Sequence, residues 1–210
     1  MLSQDFFRKY IDNVDVIHPL IPEKCTKDKI FLDQYTTGVK EHFTDINFIK
    51  TIAIDGIKFL IVCLDTNELY QDNGFVDKEI LRSVTHEIDK LTYDKIILLN
   101  HHSILESDSD PLFNSGRIID FIRHHNIESV FCGHTHKLAL MKSTDLYHNH
   151  SFIQYKNGSL SSFNSPNDSN MFIYYENFGE TEMKIHLIRI YVEANRLIFK
   201  EEIIANTYEK

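Results

Sequence analysis

Hydrophobic positions along this chain change period partway through, and that change divides it into two differently built stretches. Phe48–Ile54 and Ile57–Leu64 alternate or run apolar over strand-like lengths on either side of Asp55-Gly56, which predicts a hairpin. Phe75-Val76, Ile80-Leu81, Val84, Ile88 and Leu91 recur at helical spacing, so 76–91 is expected to be an amphipathic helix. The short apolar run Lys95–Leu99 reads as a buried strand, 117–127 as a helix, and Ser129–Cys132 as a second buried strand. Strand, helix, strand, helix, strand is the rhythm of an α/β layer. From about residue 138 the helical period disappears. LALMK, SFIQYK, NMFIYYE, KIHLIRIYVE and RLIFKEEII all read as strands, giving a β-rich C-terminal end without helices. Before residue 48 the pattern is poor: residues 4–13 read as a short helix, and Pro19 and Pro22 bracket an extended segment. No internal repeat is visible, and residues 1–210 are expected to form a single domain.

Composition narrows the class only modestly. Hydrophobic residues at 42% and charged residues at 25% describe a soluble globular chain, and fifteen Phe with ten Tyr predict a core of large side chains. The formal net charge of -9 argues against nonspecific binding to a nucleic-acid backbone, which needs Lys and Arg to neutralise phosphates. Cys25, Cys63 and Cys132 are widely spaced and form no CxxC, so free thiols in a reducing compartment are expected, Cys63 and Cys132 packing as small hydrophobes. The charged N-terminus is unlike a signal peptide, and no stretch approaches the roughly 18 apolar residues of a membrane span. A cytoplasmic location with no membrane association is the resulting expectation.

The chemistry lies in histidine, of which there are twelve. Two buried strands are each followed directly by imidazoles: Leu98-Leu99-Asn100-His101-His102, and Phe131-Cys132-Gly133-His134-Thr135-His136. Carboxyl ends of strands are where open α/β sheets carry their sites. Neutral imidazole is a ligand for Zn, Fe, Mn or Co, and two His one residue apart can serve two adjacent ions or one. Gly133 suits a tight turn close to a ligand. The remaining histidines carry a plainer expectation: His124 and His125 solvated on their helix, His148 and His150 in a polar loop, and His18, His42, His86 and His186 without a partner pattern. Asn100 is expected to point away from His101 along the strand.

LLNHHSI and VFCGHTHKL together resemble the two late metal-binding motifs of the calcineurin-like metallophosphoesterases, the first lacking the family's proline. LIVCLDTNE, NGFVDKEILRSVTHEIDKL and the downstream KNGSLSS resemble the family's surrounding segments, so the likeness covers about residues 48–165. The resemblance implies that His101 and His134 bind the second of two metal ions and His136 the first. His102 would shape the pocket, and Asp65 would belong to a structural turn. It implies phosphoester hydrolysis by metal-activated water, with two divalent ions, Mn, Fe or Zn, as cofactors and a phosphoester as substrate. The implied fold is an α/β two-sheet β-sandwich flanked by helices, of which this chain would form the C-terminal portion. The family's earlier Asp-x-His, Gly-Asp-x-x-Asp and Gly-Asn-His-Asp/Glu motifs are absent from the 210 residues. With them go the bridging carboxylate and most ligands of the first ion, so no catalytic residue is assigned. Catalytic zinc sites usually keep three protein ligands, and three imidazoles shared between two ions fall short of that.

Three readings therefore stand: a phosphoesterase incomplete as this chain alone, completed by a second protein chain or by self-association; a non-catalytic descendant that binds a partner or a phosphate-bearing ligand; or a one-ion module using His101, His134 and His136.

Overall fold

The Asp55-Gly56 hairpin is formed as its sequence requires. A type I′ turn, one of the two two-residue turns that match strand twist, needs positive φ at both centres, and Asp55 has φ 50° and Gly56 φ 83°. The turn joins β2 (Phe48–Ile54) to β3 (Ile57–Leu64), which pair antiparallel from Phe48↔Cys63 to Ile54↔Ile57. The computed structural model describes residues 15–17, 19–21, 24, 47–68, 71–105, 112–158, 170–178, 183–194 and 196–205. The helix expected over 4–13 and the cysteine at 25 lie outside these residues.

Two further strands continue the sheet in the other direction. β6 (Lys95–Asn100) lies parallel to β3, and β7 (Ser129–Cys132) lies parallel to β6. Parallel neighbours need crossover connections, and each crossover here contains one helix: α1 (Lys78–Ile88) and α2 (Ser115–His124). With β1 (Asp15–Val16), β8 (Ala139–Asp145) and β9 (His150–Lys156), the sheet has seven strands in the order β1-β2-β3-β6-β7-β9-β8. A small antiparallel ribbon, β4 (Asn67–Glu68) with β5 (Gln71–Gly74), follows β3 and was not visible in the hydrophobic pattern.

The core follows from alternation. Leu60, Val62 and Leu64 of β3, Ile96 and Leu98 of β6 and Val130 of β7 are buried, while Ile61, Ile97 and Leu99 between them are half-buried. The buried row forms one cluster with Ile80, Leu81, Val84 and Ile88 of α1 and with Ile118, Phe121 and Ile122 of α2. α1 is capped by Asp77, whose carboxylate accepts the Glu79 N–H at 2.7 Å, a contact that typically contributes about 1 kcal/mol. Neither Cys63 nor Cys132 is disulfide-bonded. Burial, with Asp65 adding to it, pushes the Cys63 thiol up to about 12, which suits a packing residue rather than a nucleophile.

The described residues divide into two compact units: one runs to Cys132 and takes in Leu140–Tyr155, and the other comprises Gly133–Ala139 and the chain from Lys156 on. The second unit holds an antiparallel three-stranded sheet of β10 (Asn170–Glu176), β11 (Lys184–Glu193) and β12 (Arg196–Ala205), in that order. The α/β class, with two main sheets, flanking helices and a β-rich C-terminal end, is thus as the sequence indicates. No helix among the described residues is long and apolar enough to cross a membrane.

One expectation is overturned. His124 is exposed, but His125 is buried at the C-terminus of α2, where its Nε2 lies 3.1 Å from Thr85 Oγ1 of α1 and its ring packs on Phe121. The reason is helical geometry: His125 continues the Ile118–Phe121–Ile122 stripe at seven residues from Ile118. Burial, and to a lesser degree His124, lowers its pKa from 6.5 to about 4, with Asp89 opposing. As pH falls, the unfolded chain takes up the proton first. The stability contributed by the neutral imidazole is therefore complete above about 6.5 and is lost progressively as pH falls towards about 4. Urea unfolding at a series of pH values across this window should show a steeper loss of stability for the native chain than for His125→Gln. Equal slopes would remove His125 as the cause.

Candidate metal centre at the strand ends

Three parallel strands end at one edge of the seven-stranded sheet. Beyond β3 come Asp65 and Thr66, and beyond β6 come His101, His102 and Ser103; in sequence β7 is followed by Gly133, His134, Thr135 and His136, which belong to the second unit. The register Leu98↔Val130 and Leu99↔Phe131 brings the last residues of β6 and β7 level with each other.

The segment after β6 is held from three sides. Asn100 is buried and its Nδ2 donates to the His102 carbonyl. Thr66 Oγ1 accepts the His102 backbone N–H at 3.2 Å and lies 2.8 Å from His102 Nδ1. Gln154 of β9, with no exposed surface, accepts the Ile104 and Leu105 N–H groups at 2.7 and 3.2 Å and donates to Ser103 Oγ at 2.8 Å. The two adjacent histidines have opposite fates. His102 is 1% exposed and engaged by Thr66, so it shapes the site without offering a free nitrogen on that side, while His101 is exposed and stands edge-on to it with ring centroids 5.0 Å apart. Asn100 and His101 thus differ in burial as strand alternation predicts. The Asn100 Oδ1 atom is buried with no hydrogen-bond partner among the described residues.

After β3, Asp65 makes a turn of its own. It accepts the Asn67 N–H at 3.0 Å and the Asn67 Nδ2 at 3.1 Å, and its own N–H donates to Asn47 Oδ1 at 2.8 Å. Those bonds fit the structural-turn reading. Thr66 and Gln154 were not singled out from sequence. Thr66 follows a strand-ending Asp, and Gln154 interrupts the apolar strand SFIQYK, which is the signal that was available for each.

After β7, the backbone of the second unit's first residues is unusual. His134 and His136 both lie in the left-handed region, at φ 70° and 58°, which costs non-glycine residues free energy and tends to occur where function holds the backbone. Thr135 N–H donates to the Gly133 carbonyl at 3.0 Å, closing a tight turn between them. His134 is half-buried and His136 exposed.

Among the described residues, no group of three or more His, Cys, Asp and Glu side chains is gathered so as to hold a metal ion. The donors of the described residues therefore do not fit a complete two-ion centre. The remaining histidines serve other ends. His148 lines a groove of about 750 Å³ over α1 and α2, along with Arg82, His86, Arg117 and His124, and is bonded to Asp145 at 2.7 Å. His186 lies between Glu201 and Glu176 at 2.6 and 3.1 Å, both of which hold its pKa above the ordinary histidine range.

Gly74 makes the placement of His102 testable. A Cβ there would meet His102 Cγ at 2.6 Å, Nδ1 at 2.7 Å and Leu112 Cδ1 at 2.9 Å, closer than such atoms approach. Gly74→Ala should displace the His102 ring and weaken its bond to Thr66, destabilising the fold by roughly 1–3 kcal/mol. The His102 imidazole resonances should shift with it in NMR spectra; a variant with native stability and unmoved resonances would refute this close packing.

No family model matches the sequence, and no curated protein does. Solved structures do show distant likenesses. A hypothetical protein from Thermus thermophilus is 11% identical over 75% of this chain and 61% of that one, at a TM-score of 0.40. Vacuolar Protein Sorting 29 from Cryptosporidium parvum is 13% identical over 75% and 57%, at 0.29. A protein assigned as a 5'-nucleotidase from Staphylococcus aureus, in complex with alpha-ketoglutarate, is 10% identical over 77% and 30%, at 0.32. Against each of the three, this chain spans less than two thirds of the other's length.

Proposed function

We propose that this chain is the imidazole-bearing part of a metal-dependent phosphoesterase and does not hold its ions unaided. One observation carries the reading: β6 and β7 are neighbouring parallel strands, and each is followed in sequence, within two residues, by histidine. His101 follows β6 by one residue, and Gly133-His134-Thr135-His136 follows β7, with both of its histidines in an unfavourable backbone conformation. In this reading His101, His134 and His136 are metal ligands, the ions are Mn, Fe or Zn, and the substrate is a phosphoester. The carboxylates that a two-ion centre needs come from outside the described residues or from another chain. A second reading is favoured by the lack of a gathered donor set among the described residues: a phosphoesterase-like protein that binds a phosphate-bearing ligand or a partner without turning it over.

The test is metal uptake and hydrolysis by the purified chain. Co²⁺ absorption should report weak uptake that falls further in His101→Ala, His134→Ala and His136→Ala. Bis-p-nitrophenyl phosphate with Mn²⁺ should be hydrolysed no faster by the native chain than by His134→Ala. Uptake unaffected by all three replacements would exclude the ligand assignment. Turnover that vanishes in His134→Ala would keep the phosphoesterase and overturn its incompleteness, while binding of the diester without turnover or metal dependence would favour the second reading.

A further inference from the structure

The sheet of the second unit has one apolar face open to solvent and one free edge. Residues directly opposite each other across paired strands share a face. The registers Phe172↔Ile188↔Glu201, Tyr174↔His186↔Ile203, Ile190↔Phe199 and Val192↔Leu197 therefore define one side of this sheet. On that side Leu197, Phe199 and Ile203 are 64%, 60% and 57% exposed, and Phe172, Tyr174 and Val192 are exposed as well. The other side carries Met171, Ile185 and Leu187, all buried. Among the described residues β12 pairs with β11 alone, so its outer edge presents unpaired backbone donors and acceptors along ten residues. Long exposed apolar edge strands are templates for further pairing.

We propose that the free edge of β12 pairs antiparallel with β12 of a second copy of this chain across a two-fold axis, joining the two sheets into one of six strands. The side chains of β12 select this occupant by charge. With Glu201 on the axis, Lys200 of each copy stands opposite Glu202 of the second copy, and Phe199 stands opposite Ile203. Two ion pairs and two apolar pairs then form across the seam, each of a kind that stabilises antiparallel strands. Sliding to the neighbouring two-fold registers sets Lys200 against Lys200 or Glu202 against Glu202. A slip of one residue sends the apolar row to the opposite face. The register has one like-charge encounter, Glu201 with Glu201 at the axis, and each of these carboxylates is already engaged by its own His186 at 2.6 Å. Lys200 and Glu202 are both exposed, so they are available to a second copy. In this register the charged centre of β12 complements itself. The pairing involves only the second unit's sheet and stands apart from the metal reading.

Sedimentation velocity on the native chain should show a concentration-dependent dimer. Lys200→Glu and Glu202→Lys should each weaken it by roughly tenfold or more, because each change sets like charges opposite each other in both pairs. Mixed in equal amounts, the two variants should dimerise again, since each then offers what the other lacks. Lys200 also lies over the Tyr191 ring at 5.0 Å, so circular dichroism should establish that Lys200→Glu is folded; Glu202→Lys leaves that contact intact and tests the seam independently. A monomeric native chain would overturn the proposal, as would variants that dimerise like the native chain or a mixture that stays monomeric.

Discussion

Parallel pairing of β3, β6 and β7 is the constraint from which the rest of the first unit follows. Two successive parallel neighbours cannot be joined by tight turns, so the chain must cross over twice. Crossovers of this kind are right-handed, and two that advance in the same direction across a sheet leave their helices on the same face. That face is the one lined by Leu60, Val62, Leu64, Ile96, Leu98 and Val130, and it clusters with the apolar stripes of α1 and α2. Fully burying a Val, Leu or Ile side chain contributes about 1.5–3 kcal/mol, so this layer outweighs any single polar contact in the molecule. The same pairing brings three strand ends to one edge, and the polar residues just beyond β3 and β6 share it for that reason alone.

A sheet edge of this kind carries a cost that side chains must offset. Backbone groups that leave a strand and stay buried need partners. Here Thr66, Asn100 and Gln154 supply them, from β3's exit, from β6 itself and from β9. Because these bonds fix the chain from Asn100 to Leu105, alternation decides which histidine is structural and which is presented: His102 turns into the protein beside Gly74, and His101 remains exposed. The pair HH in sequence is thus one positioning residue and one candidate ligand. The loop after β7 differs, since its two histidines take a left-handed backbone.

Periodicity made most of the first unit legible. The hairpin at Asp55-Gly56 and the strands Phe48–Ile54, Ile57–Leu64 and Ser129–Cys132 were readable to the residue because turn chemistry and alternation agree there. Helix ends were less so. α1 begins at Lys78 rather than 76 because Asp77 caps it, and α2 starts at Ser115, three residues before Ile118 opens its apolar stripe. The β4–β5 ribbon is too short and too polar for alternation to mark it. The resemblance singled out His101, His134 and His136 as candidate donors, but a motif states only which side chains exist. Whether donors are gathered depends on geometry that no spacing within these segments specifies. His125 differs from its expectation because it lies on the Ile118–Phe121–Ile122 stripe, a periodicity that the sequence carries.

The second unit shows how good alternation can mislead about which face is buried. Along KIHLIRIYVE the apolar row begins on Ile185 and Leu187 and then passes to Ile188, Ile190 and Val192, of opposite parity. A strand whose apolar residues change parity partway must present apolar surface on both sides of its sheet. One packed layer can cover only one of them, which is why Ile185 and Leu187 are buried while Val192 is not. β12 repeats the demand with Leu197, Phe199 and Ile203 on the side that stays open. A three-stranded sheet about 14 Å wide and 34 Å long offers roughly 500 Å² on a face, below the about 800 Å² per partner of a stable interface. An apolar face of that size, used alone, would hold a second protein only weakly. Edge pairing changes that balance by adding backbone hydrogen bonds and by making the two open faces continuous, so the sequence pattern that leaves β12 uncovered also gives it the means to recruit a neighbour.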